Sequence, residues 1–489
     1  MRIFSLLLLL PGFLSSQVLP DQVWLAGTHD IPGQPGYENV IIRFQSGQVL
    51  TETTDLRMNF ESTVAVMPDS LGNILFYTNG CYVANVQGDT MANGAGLNPG
   101  EMADWTCPTS GYAAPLGAMA LQLPGNSHLY YLFHMGVRYN PEKKLTYGPF
   151  YYSIIDMEMD GGNGAVISSN NILSDGHLEP FTAVRHGNGR DWWLVFPEYG
   201  TNKYYRVLFS ASGVQQIDTQ EIGEALSCRY IGSSAFSPNG VRYARQQHCG
   251  VVVMDFDRCS GAFSNARFIG MPFRAILGGG IAFSGDGNKL LVNTQLSIQE
   301  ADLTLPNPVL DTIVPSLDIA GASLLLMQYA PNGKIYMNNL GRTKAYHVIN
   351  TPDDPDIGFE QRGLSLPVYA IRSLPNYPNY RLYDLPGSIC DTLGIDEPIV
   401  SAKDSNPLLE ISVFPNPFLD KITVTLNSDL PNTFFSLYDQ TGRLVLSANL
   451  VDETTKLTGI KLPVGVYFSE VKEGESGRKV RGKLIKAGN

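Results

Sequence analysis

Local catalytic signatures are missing from this 489-residue chain. It has no G-x-S-x-G nucleophile elbow, no H-E-x-x-H metal helix and no G-x-x-x-x-G-K-[ST] phosphate loop, which sets aside the common hydrolase and nucleotide chemistries. Glycosidases built on two distant carboxylates would leave no such trace. Basic charge is also short: 34 Lys and Arg stand against 46 Asp and Glu, a net −12. Phosphate neutralisation needs clustered cations, so nucleic acid is not an expected partner. Apolar periodicity of 3.6 is scarce, while 49 Gly and 31 Pro cut the chain into short elements. The composition points to an all-β protein.

Long apolar runs are absent except at the start. Met1-Arg2 precedes the run Ile3 to Leu14, and Ser15-Ser16-Gln17 follows. A positive start, an apolar stretch and small residues have the order of a secretory signal peptide, expected here over residues 1–16. Spanning a bilayer takes about 20 apolar residues, so the run is too short for an anchor. The first cysteine is Cys81, too far along for an N-terminal lipid anchor. The mature chain is expected to be soluble in itself, without a transmembrane segment.

Six cysteines suit an exported protein, because disulfides persist in oxidising compartments. Cys249 and Cys259 flank the apolar stretch VVVMDF, and ten extended residues span roughly 33 Å, beyond the ~7 Å Cα limit for a bridge. A hairpin turning at Pro238-Asn239 instead sets Cys228 opposite Cys249. Cys81 with Cys107 is the next most local pair, leaving Cys259 with Cys390. Free buried thiols are the alternative.

The region 17–388 is long for one compact domain, and it repeats. SSAFSPNGVRYA at 233, IAFSGDGNKLLVN at 281 and MQYAPNGKIYMNN at 327 are each a strand, a Gly turn and a strand. Weaker copies stand at 66 (VMPDSLGNILFYTNG), 121 (LQLPGNSHLYYLF), 184 (VRHGNGRDWWLVF) and 372 (RSLPNYPNYRLYD). Gly240, Gly287 and Gly333 are spaced near the length of a four-stranded blade. The expected architecture is a seven-bladed β-propeller, six or eight blades being the alternatives, with VWLAG and VIIRFQSG helping to close the last blade. An open solenoid is the rival. The SPNG, GDG and PNG turns resemble those of PD40-like and WD40-like propellers, a resemblance that implies a fold and no particular chemistry.

The C-terminus changes character. Residues 389–409 are rich in Asp, Ser and Pro and read as a linker. In 410–489, Ile422, Val424 and Leu426 alternate with Thr423 and Thr425, the period of a half-buried strand. Asp439-Gln440-Thr441-Gly442 supplies a hairpin turn, a second falls at Glu473 to Gly477, and Pro415 and Pro417 confine VFPNPF to an edge. A small Ig-like β-sandwich is expected. From Lys456 onward eight Lys or Arg face three Glu, a net +5 that leaves −17 for the remainder. The FPNPF opening, the YDQTGR turn and the closing GKLIK resemble the C-terminal sorting domain of proteins exported by the type IX secretion system of Bacteroidota. The resemblance implies the type IX machinery as a partner and a final location in the medium or on the outer face of the outer membrane.

Other motifs point less sharply. Asp156, Glu158 and Asp160 before Gly161 have the start of a calcium loop, but Ile167 stands where its last carboxylate belongs. His186, Arg190 and Asp191 beside Trp192-Trp193 read as a blade turn, and His128 with His134 as core or surface residues. No cofactor or metal is expected. Met91 to Gly117 lacks strand periodicity and is long for a loop, so it is the expected binding rim, with Trp105 and Tyr112 for stacking and Glu101 and Asp104 for hydrogen bonding. Val137 to Tyr147 reads as a second irregular stretch. Two functions follow: an exported propeller that binds a protein or glycan without turnover, or an extracellular hydrolase of polysaccharide or peptide with its site in the central funnel. Acidic pairs in the funnel would favour the second; a plugged funnel with aromatic loops on one rim would favour the first.

Overall fold

The computed structural model describes residues 18–28, 33–45, 47–226, 232–271, 279–315, 323–393, 411–416, 418–426, 433–439, 442–450, 454–473 and 479–487. The expected signal peptide and most of the expected linker lie outside these residues. The chain divides into two compact units, 1–402 and 403–489.

The larger unit is a ring of antiparallel meanders. Its first sheet has three strands, Val23–Gly27, Asn39–Gln45 and Gln48–Thr54. The second has eight, made of two four-stranded halves: Ala65–Pro68 to Thr90–Ala95, and Ala118–Gln122 to Ala165–Ser174. The last strands of the two halves meet in a parallel pairing of Ala165 with Ala92. Four four-stranded sheets follow, beginning at Thr182–Arg185, Ser234–Phe236, Ile281–Phe283 and Leu324–Tyr329, here the third to sixth. Opening strands pack on one another from the first sheet to the second and from the third through to the sixth, Phe150 and Phe196 join the second to the third, and Phe359–Ala370 of the sixth sheet packs back on all three strands of the first. The ring therefore closes, as in a β-propeller and unlike a solenoid.

Turn chemistry explains why the repeats fold alike. Gly240, Gly287 and Gly333 hold φ of 74°, 75° and 78°, where a side chain would be strained, and each donates its N–H back to the residue three earlier. In two of the turns a serine completes the loop, Ser237 Oγ meeting Asn239 Oδ1 and Ser284 Oγ meeting Asp286 Oδ1, both at 2.6 Å. At the opposite face an amide at the end of the second strand holds the start of the first. Asn338 Oδ1 accepts from the Leu326 N–H at 2.8 Å, and Asn293 Oδ1 accepts from the Gly280 N–H.

Aromatic rings fill the seams. The Phe150 ring lies 4.7 Å, centroid to centroid, from both Phe181 and Phe196, tilted on the first and edge-on to the second, joining the second and third sheets. Tyr204 and Phe263, at 5.3 Å, join the third and fourth, and Tyr336 joins the sixth to Trp24 and Phe44 of the first at 5.6 and 5.5 Å. Such pairs contribute about 0.5–1.5 kcal/mol each beyond their buried area.

Six of the seven repeat copies are hairpins of this kind, and the copy at 372 is not. Residues 371–383 form no hairpin and pair in no ladder, because Pro375 and Pro378 lack the N–H a ladder needs. VWLAG and most of VIIRFQSG pair with each other in the first sheet, and no ladder joins them to the copy at 372.

The smaller unit has one three-stranded sheet, ordered Ile411–Phe414, Lys421–Leu426, Thr454–Thr458. Its four-stranded sheet is ordered Leu444–Leu450, Thr433–Tyr438, Gly465–Glu473, Lys479–Lys486. Ile422 and Val424 are buried with Phe418, Phe435, Leu437 and Leu484 in one core. Asp439 and Gly442 close the expected turn, the Gly442 N–H donating to the Asp439 carbonyl at 3.0 Å. VFPNPF enters through an edge strand.

Candidate functional site

Met91 to Gly117 is more ordered than its sequence suggests. It begins inside the strand Thr90–Ala95 and contains the short helix Glu101–Thr106. Strand periodicity is hidden because Asn93 and Gly94 occupy a strand whose residues are mostly exposed. A disulfide ties Cys107 to Cys81 with Cα atoms 5.7 Å apart. Amides hold the rest. Asn98 Nδ2 donates to the Gly80 carbonyl at 3.0 Å, Asn59 Nδ2 to that of Thr109 at 3.0 Å, and Asn79 Nδ2 to that of Asn59 at 3.1 Å.

This frame presents Trp105 to solvent. The side chain is 75% exposed, whereas Trp24, Trp192 and Trp193 are at most 7% exposed. Glu101, one helical turn earlier, shares its face, and Asp104 is adjacent; both are exposed. Tyr112 is different. It is buried at 2%, its hydroxyl accepts the Val137 N–H at 2.9 Å, and burial pushes its pKa up to about 12. Tyr112 therefore supports the loop from beneath and offers no stacking face, which removes it from the expected ligand set. Val137 to Tyr147 is no irregular rim either, being the hairpin between Leu129–Tyr139 and Leu145–Asp156.

His134 completes the support. Fully buried, it donates from Nδ1 to Asn98 Oδ1 at 2.7 Å and accepts at Nε2 from Ser153 Oγ at 2.9 Å, while Ser153 Oγ accepts the Asn170 N–H. Because Asn98 Nδ2 is committed to Gly80, its oxygen must face the ring, which fixes the tautomer. Burial lowers the His134 pKa to about 3, so the ring is neutral.

The remaining motifs are structural. His186 Nε2 donates to the Cys259 carbonyl at 3.0 Å and Nδ1 accepts the Asn188 N–H; Asp191 is held by Asn188 at 2.9 Å and Arg190 at 2.7 Å. This is a tie between the third and fourth sheets. The Asp156–Gly161 stretch is a hairpin turn with a single 3-10 turn at Asp160–Gly162. His128 does have acidic neighbours, Asp156 at 3.0 Å and Glu158 at 4.0 Å. Among the described residues no group of three His, Cys, Asp or Glu is placed to hold a metal ion.

The middle of the ring is occupied by the chain itself. Asn376 Nδ2 donates to the carbonyls of Leu116 (2.8 Å) and Phe181 (2.9 Å), and the Tyr377 hydroxyl lies 2.9 and 3.0 Å from those of Val23 and Val66. The Tyr380 hydroxyl donates to Ala120, Asn379 Nδ2 to Pro238, and Gln328 Nε2 to Tyr377. Four residues, Asn376, Tyr377, Asn379 and Tyr380, thus touch the first, second, third, fourth and sixth sheets. Cys390 then bonds Cys259. Cys249 is disulfide-bonded, and Cys228, its expected partner, lies outside the described residues.

Residues 412–487 match the secretion system C-terminal sorting domain family. The smaller unit is thus a sorting domain, and the chain is an exported protein. No helix among the described residues is long and apolar enough to cross a membrane. No curated protein matches the chain. Solved structures similar to the chain include a candidate 6-phosphogluconolactonase from Bacteroides uniformis, 13% identical, covering 73% of this chain and 98% of that one with a TM-score of 0.39. Hsv2p of Kluyveromyces lactis is 10% identical, covering 72% and 99%, TM-score 0.36. PorZ, a surface component of the type IX secretion system of Porphyromonas gingivalis, is 12% identical, covering 95% and 70%, TM-score 0.29. Likeness at this level carries no chemistry, and the propeller assignment rests on the closed ring of sheets.

Proposed function

We propose that this is a type IX-exported, surface-held or released protein of a Bacteroidota bacterium whose propeller binds a glycan without turning it over. The eight-stranded sheet is read as two fused blades, which makes seven in all, and the sorting domain as an Ig-like sandwich. The observation that carries the binding reading is Trp105. A solvent-facing indole held by a disulfide and an amide network pays little ordering entropy on binding. Its face suits a sugar ring, with Glu101 and Asp104 beside it to accept hydroxyl protons. The bonds of Asn376, Tyr377, Asn379 and Tyr380 to inner parts of the sheets support the same reading, because they place the chain where a funnel hydrolase would seat its substrate.

Trp105→Ala is expected to weaken binding of soluble polysaccharide or oligosaccharide by about tenfold, the equivalent of roughly 1.4 kcal/mol, with thermal stability unchanged because the side chain is exposed. Titration calorimetry across a glycan panel checks this; equal affinity in wild type and variant, or no glycan bound by either, would sink it. Export is tested separately. A chain ending at residue 409 should be missing from the medium and from surface-biotinylated protein while remaining in the periplasm, and its normal appearance outside would refute the role given to the tail.

A further inference from the structure

Among the described residues the first sheet lacks a strand, and its polarity says which one. Val18 N–H bonds the Ser70 carbonyl at 2.9 Å, and Arg43, opposite Val23, reaches the Gly72 carbonyl; Ser70 and Gly72 lie in the turn after Ala65–Pro68. At its other end Gly27 accepts the Phe60 N–H, from the residues that lead into the same strand. Val23–Gly27 therefore runs opposite to Ala65–Pro68, as the second strand of a meander does. The missing strand is the innermost one.

Residues 374–381 run in the direction that strand would take. Arg372 N–H bonds the Asn339 carbonyl at 3.1 Å, and Asn376 bonds Leu116 and Phe181, all on the face where innermost strands begin. Asn379 and Leu385 bond Pro238 and Gly187, both in turns where innermost strands end. At that end the anchorage is dense. Arg381 pairs with buried Asp21 next to the first sheet, and Arg258 bonds the Tyr383 carbonyl with one nitrogen and the Arg185 carbonyl with another, at 2.8 Å. One residue beyond Arg258, Cys259 is joined to Cys390.

We infer that residues 374–390 are the lock of the ring: they stand in for the absent innermost strand through side-chain bonds, and the Cys259–Cys390 bridge keeps them seated. A ladder strand would be held by backbone bonds to one or two neighbours. Apart from a backbone bond at Leu385 and a bridge at Asp384, this segment is held by hydroxyls, side-chain amides and guanidiniums reaching sheets around the ring, a grip that loosens piecewise once its end is free. The bridge closes a loop of 131 residues spanning the fourth, fifth and sixth sheets, so it also limits how far those sheets can move from the lock.

The test uses the full chain and reads hydrogen exchange by mass spectrometry together with brief trypsin treatment. In Cys259→Ser/Cys390→Ser, exchange across residues 371–391 should accelerate at least tenfold and cleavage after Arg372 and Arg381 should appear, while outer strands such as Gly213–Glu221 keep their protection. A Tyr377→Phe/Tyr380→Phe variant, with the bridge intact, should raise exchange over residues 373–381 and leave residues 384–391 protected, and it decides the matter if the cysteine variant does not fold. Cys81→Ser/Cys107→Ser is the control and should leave the lock closed. The inference is overturned if the lock stays protected in both test variants, if all strands lose protection together, or if the control releases residues 371–391 as fully as the loss of Cys259 and Cys390 does.

Discussion

Replacing Glu179 by Leu is expected to lower the unfolding free energy of the propeller by about 3–5 kcal/mol, the largest single-residue effect predicted for this protein. Arg245 is 0% exposed and Glu179 2% exposed. The guanidinium forks onto the carboxylate, Nε at 2.7 Å and one terminal nitrogen at 2.6 Å, and Gln247 adds a further donor to the same carboxylate. Its remaining nitrogen donates to the Thr201 carbonyl at 2.8 Å. Burial by itself would depress the Arg245 pKa, but the charge and hydrogen bonds of Glu179 outweigh it and hold the group above its ordinary value. Removing the carboxylate leaves a cation at the seam of the third and fourth sheets with neither water nor counter-charge. Glu179→Leu/Arg245→Met should recover most of the loss, since a well-packed apolar pair can match a buried ion pair. Urea unfolding followed by tryptophan emission measures this cleanly, because all four tryptophans, at 24, 105, 192 and 193, belong to the propeller unit. A Glu179→Leu cost below about 1 kcal/mol, the range of an exposed pair, would contradict it.

Acid should weaken the same domain, through two histidines. Burial lowers His134 to about 3, and burial reinforced by the charge of Arg362 lowers His347 to about 4. His347 Nε2 donates to Asn339 Oδ1 at 3.0 Å and Nδ1 accepts the Arg362 N–H at 3.3 Å, so it too is locked in the neutral form. Below the unfolded value of about 6.5 the unfolded chain takes up protons that the folded chain refuses, so stability falls as pH falls through that window. Each histidine contributes at most about 1.4 kcal/mol per pH unit, giving roughly 3 kcal/mol for the pair between pH 6.5 and 5.0. Urea midpoints at pH 7.5, 6.0 and 5.0 measure the slope, and His134→Gln should halve it. A flat profile from pH 7.5 to 5.0 would show that these rings are not held as described.

What was legible in the sequence was what local chemistry encodes. The S-P-N-G and S-G-D-G turns announce their hairpins because Gly240 and Gly287 must take positive φ and a serine closes the loop beside each. The alternation at Ile422–Leu426 announces its strand. The copy at 372 reads as a hairpin because tyrosines spaced by prolines look like a short strand pair. Its role depends on carbonyls more than 100 residues away, such as Leu116, Phe181 and Val23, and no local pattern reports those. Tyr112 reads as a rim residue for a related reason. Its neighbours Gly111 and Ala113 read as loop, and only Val137, 25 residues on, shows that the ring points inward. Trp105 was legible as a residue of interest, but its exposure depends on a disulfide and three asparagines that fold the loop beneath it.

The fused eight-stranded sheet also bears on how the protein lives in a crowded place. A propeller blade ordinarily ends in a bare outer strand whose N–H and C=O groups can recruit a strand from another molecule. Here Thr90–Ala95 and Ala165–Ser174 spend part of that hydrogen-bonding capacity on each other. Two potential nucleation sites for chain-to-chain sheet growth are thereby partly capped from within, so that edge of the ring can be displayed at high density with less risk of self-association.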